Sequence, residues 1–151
     1  MNWIGSNITF VKILIMYPED LIAPMRADLT SAGIKEARTA EEVQNQINQE
    51  GTTLVIINSV CGCAAANARP AVKMAAQNEN LPDRMITAFA GNDVEAVNQA
   101  RSMMAPFPPS SPSMALFKNG ELVHMIERHH IEGRPAEMIA ENLTEAFNEH
   151  C

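Results

Sequence analysis

The chain has 151 residues, of which 46% are hydrophobic and 19% charged, and carries a formal net charge of −7. That length suits one domain with its own core and is too short for two comfortable ones. The acidity argues against nucleic acid and anionic membranes as partners, because both need a basic face, and as a surface property it serves solubility.

The opening stretch, MNWIGSNITFVKILIM, holds an apolar run from Ile8 to Met16 that Lys12 interrupts. It lacks a basic leading segment and a small-residue cleavage site, so no signal peptide is expected. It is also too short to span a bilayer. ITFVKILI reads either as an edge strand or as an upstream extension. Residues 1–15 are taken as an N-terminal extension of unknown role and residues 16–151 as the domain.

YPEDLIAPMRADLTSAG reads as a helix, with Pro18, Glu19 and Asp20 in its first turn, Leu21, Ile22, Met25 and Leu29 at helical spacing, and Gly33 as its stop. IKEAR is a short strand candidate. TAEEVQNQINQEG carries a capping-box pattern, with Thr39 as N-cap and Glu42 three residues on. TTLVIIN is a continuous apolar, β-branched run, the signature of a strand covered on both faces. A cysteine segment and the helix CAAANARPAVKMAAQN follow, with Pro70 expected to bend that helix. RMITAFA reads as another buried strand. DVEAVNQARSMMAP reads as a helix capped by Asn92 or Asp93.

FPPSSPS breaks the periodicity with three prolines. MALF, KNG and ELVHMIE then form a β-hairpin with Asn119-Gly120 in its turn. RPAEMIAENLTEAFNEH closes the chain as a helix with an apolar stripe of Met138, Ile139, Leu143 and Phe147. This alternation predicts an α/β fold, a mostly parallel sheet with helices on both faces and an antiparallel edge.

There are three cysteines, Cys61, Cys63 and Cys151. An odd count does not read as a secreted disulfide framework, so a reducing, cytoplasmic setting is expected, in which a close pair is catalytic or metal-binding. Cys61 stands where a buried strand becomes a helix. Free N–H groups and the helix dipole there favour a thiolate, which makes Cys61 the expected nucleophile. Lowering a thiol pKa from ~8.5 to ~6.5 raises the thiolate fraction roughly twelvefold at pH ~7.4. A Brønsted slope of ~0.45 takes back about eightfold in nucleophilicity, so the larger gain lies in a sulfur that leaves well. Cys63 is the expected resolving thiol, with Gly62 supplying the backbone freedom for so tight a pair. Resolution by an external small thiol is the alternative.

NSVCGCAAANARPAV followed by SPSMALFKNGELV resembles the order of features in thioredoxins, where a cis-proline faces the active-site cysteines. Pro112 would be that proline, flanked by Ser111 and Ser113, although the motif here is Cys-Gly-Cys and not Cys-x-x-Cys. TAEEV, GTTLVIINSVCGCAAANARPA, FAGND, FPPSSPSMALFKNGELVH, RHHIEG and the terminal Cys151 resemble the bacilliredoxin (YphP/YqiW) family more closely, over roughly residues 16–151. The resemblance implies a thioredoxin-like three-layer α/β/α sandwich with a central mixed sheet and a C-terminal antiparallel hairpin. It implies a bacterial cytoplasmic thiol–disulfide oxidoreductase that removes bacillithiol from protein mixed disulfides, with disulfide isomerase activity as the alternative. Bacillithiol is then a co-substrate rather than a tightly bound cofactor. The partners would be S-bacillithiolated or disulfide-bearing proteins and the bacillithiol reductase system, and the protein would be a monomer or weak homodimer.

Under the same resemblance the backbone around Ser111, Pro112 and Ser113 holds an extended substrate segment. Arg69 either lies near the carboxylates of bacillithiol or is simply solvated, as Asn67 is. His124, His129 and His130 with Cys61 and Cys63 have the residue types of a zinc set, but no second ligand knuckle accompanies them and no metal is expected. The histidines then read as loop residues facing solvent. Cys151 reads as a free terminal thiol or a third redox cysteine, and the ten methionines as packing residues. A redox sensor without turnover and a metal carrier built on the same cysteines are the competing readings.

Overall fold

The structure, a computed structural model, describes residues 16–151; ITFVKILI lies outside them. Helix α1 spans Glu19–Thr30, strand β1 Lys35–Glu36, helix α2 Ala40–Ile47 and strand β2 Thr52–Asn58. A π-helical stretch, Ala64–Ala68, leads into helix α3, Arg69–Ala75. Strand β3 (Arg84–Phe89), helix α4 (Val94–Met103), strands β4 (Ser113–Lys118) and β5 (Glu121–Ile126), and helices α5 (Arg128–Ile131) and α6 (Ala136–His150) complete the chain.

The five strands form one sheet in the order β1-β3-β2-β4-β5. β3 runs parallel to β1 and β2, whereas β4 is antiparallel to both β2 and β5. β2 is central and every one of its residues is buried. Its alternate side chains feed two cores, as a strand's period of two requires. Leu54 and Ile56 meet Leu29 of α1, Val72 of α3 and Leu143 and Phe147 of α6 on one face. Val55 and Ile57 meet Val43 and Ile47 of α2 and Val97 and Ala100 of α4 on the other. This is the expected α/β/α sandwich.

The local signals act as expected at several points. The Thr39 hydroxyl accepts from the Glu42 N–H at 3.1 Å and so caps α2. Asn119 and Gly120 have φ of 52° and 84°, the two left-handed residues of a tight hairpin turn. Asp93 precedes α4, yet its carboxylate caps nothing there and accepts instead from Phe89 N–H and the Arg26 guanidinium.

Three expectations change. Pro70 does not bend one continuous helix. The chain takes the wider π turn first, and α3 restarts at Arg69 with Pro70 in its first turn, where a missing N–H leaves no ladder bond unmade. The stripe of α6 excludes Met138, which is 53% exposed; Ala136, Ala140 and Ala146 take the core positions beside Ile139, Leu143 and Phe147. In α1, Leu21 faces outward, while Arg26 is buried among Glu19, Glu36 and Asp93, so a charged residue occupies a core-facing position. No described helix is long and apolar enough to cross a membrane.

Candidate active site

Asn58 ends β2 and begins the loop that carries the cysteines. Its Oδ1 accepts from Ser59 N–H at 2.8 Å and from Arg69 Nη1 at 3.0 Å, while its Nδ2 donates to Met25 O at 3.1 Å. Arg69 Nη1 also donates to the Ser59 carbonyl at 2.8 Å, and Arg69 Nε lies 3.4 Å from Asp28 Oδ2. Arg69 is only 5% exposed. The expected solvated arginine is therefore corrected: Arg69 lies buried beneath the loop, where its Nη1 holds Asn58 and the Ser59 carbonyl. Asn67 reaches across to the Arg134 carbonyl.

The loop then turns into a helix start. The Cys61 carbonyl accepts from Ala64 N–H at 3.1 Å and Ala65 N–H at 3.2 Å. Ser59 Oγ accepts from Cys61 N–H at 3.4 Å. Cys61 and Cys63 are free thiols, partly buried, with sulfurs 2.7 Å apart. A disulfide bond is about 2.05 Å long, so exchange with an incoming disulfide can close a bond between them with little side-chain movement.

The two sulfurs are electrostatically unequal. Burial by itself pushes the Cys61 thiol up. Hydrogen bonds from Cys63, the Ser59 hydroxyl and Ala64 N–H, aided by the Arg128 charge, outweigh burial and hold it below the ordinary cysteine value. Burial also raises Cys63, and there the hydrogen bond to Cys61 and the negative charge of that sulfur add to it, with Glu132 opposing Arg128. The first proton lost from the pair is thus favoured at Cys61 over Cys63.

Gly62 needs no left-handed backbone, and a Cβ added there would meet nothing within 4 Å. The freedom expected of Gly62 concerns the bonded pair; in the free pair the side where Gly62 lies is open.

Ser111–Pro112 is a cis peptide bond. Ser113 pairs with Ile57 across the sheet, which brings the Ser111–Pro112 turn to the same end of the sheet as Asn58 and the cysteine loop. Ser113 is buried and its hydroxyl donates to Ser110 O at 3.0 Å. Only its main chain is left to face a substrate.

His129 and His130 lie on the short helix α5, which the sequence pattern did not reveal. Among the described residues, Glu127, His129 and His130 could offer metal-ligating atoms within 4.8 Å of one another, a grouping that excludes Cys61 and Cys63. His130 Nδ1 already accepts from Glu127 N–H at 3.0 Å. His124 is separately engaged, its Nε2 lying 2.6 Å from Asn142 Oδ1. Cys151 lies beside Thr52 and Asp83 at the other end of β2. Seven strand residues at ~3.3 Å each put about 20 Å between the two ends. Cys151 is therefore no resolving partner for Cys61 within one molecule.

Sequence reasoning missed Ser59 and Arg128. Ser59 had a signal, a hydroxyl two residues before Cys61 in a strand-to-helix turn. Arg128 had none, because it arrives from a distant segment.

A family model described as disulphide isomerase matches residues 17–151. A bacilliredoxin of Cytophaga hutchinsonii is 53% identical over 134 residues, covering 89% of this chain and 99% of the relative. One of Shouchella clausii is 54% identical over 136 residues, covering 89% and 94%. Among solved structures, oxidized mitochondrial thioredoxin 3 from Saccharomyces cerevisiae superposes with a TM-score of 0.55 at 18% identity, covering 81% of this chain and 98% of that one. The structural likeness establishes a thioredoxin-like fold. The sequence likeness, which runs through the cysteine loop, the cis-proline turn and the terminal helix alike, establishes that the chain belongs to the bacilliredoxin family.

Proposed function

We propose that this protein is a thiol–disulfide oxidoreductase that removes bacillithiol from protein mixed disulfides, with Cys61 as nucleophile and Cys63 as resolving thiol. The observation that carries this reading is the unequal free pair, 2.7 Å apart at a helix start, with Cys61 held below and Cys63 above the ordinary thiol value. The Cys61 thiolate attacks the bacillithiol sulfur of the mixed disulfide, and the protein thiolate leaves with the electron pair. Cys63, deprotonated as that new disulfide forms, attacks Cys61 Sγ and expels bacillithiol thiolate. The resulting Cys61–Cys63 disulfide is reduced again by bacillithiol, whose disulfide passes to its own reductase. A low-pKa Cys61 also leaves readily when bacillithiol attacks Cys63 Sγ to open the Cys61–Cys63 disulfide.

The open side at Gly62 is the entry for the substrate sulfur, and the Ser111–Pro112–Ser113 main chain is the rail along which a substrate segment lies. Residues 16–151 form the working domain, and residues 1–15 an extension outside it. Substrates are S-bacillithiolated proteins in the bacterial cytoplasm, and bacillithiol acts as co-substrate.

Mass spectrometry of single-cysteine variants after exposure to a bacillithiolated protein tests this. Cys61→Ser is expected to accept no bacillithiol, and Cys63→Ser to accumulate the Cys61 adduct. Full turnover by Cys61→Ser would overturn the assignment. A second reading, rearrangement of protein disulfides, is favoured by the description of the matching family model. It uses the same first attack on a protein disulfide, and refolding of a scrambled substrate distinguishes it.

A further inference from the structure

Arg128 opens α5 and touches both halves of the site. Its backbone N–H donates to Ser110 Oγ at 3.3 Å, and its Nη1 donates to the Ser111 carbonyl at 3.0 Å. The second is the carbonyl that precedes Pro112. Pro112 has no N–H, so the turn cannot hold itself there through a sheet ladder. Arg128 therefore grips this turn by main chain and side chain together. Its side chain is 41% exposed, so it is not a buried strut.

The same guanidinium stands close enough to influence both thiols. Around Cys61 stand the Cys63 sulfur, the Ser59 hydroxyl, Ala64 N–H and the Arg128 charge. Around Cys63 stand Cys61, Arg128 and Glu132. Arg128 favours the thiolate at both positions, and Glu132 disfavours it at Cys63. Glu132, one turn along the chain, also engages Arg128 directly, at 3.2 Å from Nε and 3.4 Å from Nη2. Both side chains of that ion pair are largely open to water, where such pairs are loosely held. The Arg128 charge is thus shared among a carbonyl on the substrate side, a carboxylate and two sulfurs.

We propose that Arg128 is a positioning residue for thiol exchange: Nη1 fixes the Ser111 carbonyl that orients the substrate segment, its charge faces the Cys61–Cys63 pair, and Glu132 limits how much of that charge the sulfurs feel. This rests on the exchange chemistry above. In each step one S–S bond breaks and one forms, and a single negative charge passes from the attacking sulfur to the leaving one. Arg128 is the fixed cation beside which that charge moves. Because it bonds the proline turn as well, substrate docking and thiolate stabilisation are linked through one side chain.

Arg128→Gln, Arg128→Lys and Glu132→Gln test the proposal in the full chain. Ultraviolet titration of the thiolate reads the charge, and steady-state exchange with a bacillithiolated protein reads docking. Arg128→Gln is expected to move the thiolate titration to higher pH and to raise KM about fivefold, the worth of one hydrogen bond of about 1 kcal/mol. Arg128→Lys keeps the charge and is expected to leave the titration near its original place. Glu132→Gln is expected to move it the opposite way, to lower pH. If Arg128→Gln leaves both titration and KM unchanged, or if Glu132→Gln shifts the titration upward as Arg128→Gln does, the proposal fails. Should Arg128→Gln not fold, Glu132→Gln decides it: a shift to lower pH with Arg128→Lys unshifted supports the proposal, and no shift or an upward one overturns it. The titration needs no substrate, so its outcome is independent of whether bacillithiol is the physiological adduct.

Discussion

The two ends of β2 each hold a cysteine in a different electrostatic setting. At the C-terminal end, Cys61 sits at a helix start, where main-chain N–H groups, the Ser59 hydroxyl and Arg128 favour negative charge. At the N-terminal end, Cys151 follows the last turn of α6, its N–H donating to the Phe147 carbonyl at 2.8 Å. Helix carbonyls converge there and disfavour negative charge. Burial raises the Cys151 thiol and the Asp83 carboxylate raises it further, outweighing the Thr52 hydrogen bond and the Lys118 charge, which lower it. The exposure of a whole cysteine residue is therefore a poor guide to its reactivity, which follows the burial of the sulfur and the donors and charges around it. Cys151 is the more exposed residue and the less activated sulfur.

The largest expected contrast is catalytic. Cys61→Ser should abolish exchange, whereas Cys151→Ser should leave the initial rate of bacillithiol removal within twofold of the parent. A large loss from Cys151→Ser would break the comparison. Next comes the scaffold at the redox end. Arg26 and Asp93 form a buried ion pair at 2.8 Å with side chains 7% and 4% exposed. Asp93→Ala leaves Arg26 without its most buried partner and removes the acceptor of Phe89 N–H. Denaturant unfolding should show a loss of about 3–5 kcal/mol.

A third measurement sharpens the contrast directly. Alkylation rates followed against pH by site-resolved mass spectrometry, with Cys63 in place, should reach half their maximum below the ordinary cysteine pKa for Cys61 and above it for Cys151. The smallest effect is expected from Asp83→Asn. Hydrogen bonds from Thr52 N–H and the Thr52 hydroxyl hold the Asp83 carboxyl below its usual value against the opposing effect of burial. A depressed folded pKa contributes stability above the unfolded pKa and loses it as pH falls through the folded one. Asp83→Asn should therefore flatten the acid limb of the stability profile, and it should lower the Cys151 titration by removing a nearby negative charge. An unchanged Cys151 titration would mean that burial alone sets it.

Much of this architecture is legible along the chain because it depends on near neighbours. TTLVIIN announces a strand buried on both faces through its unbroken apolar run. Thr39 with Glu42 announces a helix start, and Asn119-Gly120 a hairpin turn, since each satisfies its own local geometry. The Cys61-Gly62-Cys63 segment at a strand-to-helix junction is equally local, and so is the proline turn before β4. Arg26, Arg69 and Met138 escape such reading. Apolar spacing on an isolated helix does not show that a charged side chain will find buried partners, or that alanines will suffice where two helices approach closely.

Propensity, capping and spacing act within a few residues, so the order of the strands and longer helices, the cysteine pair and the candidate proline can be read along the chain, whereas the short helix α5 and the π stretch cannot. Which end of the sheet each thiol occupies, and what charge faces it, follows from folding. Arg69 reaches Asn58 from 11 residues away and Arg128 reaches Ser111 from 17. Electrostatic environment is a property of distance in space, and folding sets that distance by sheet order and helix packing.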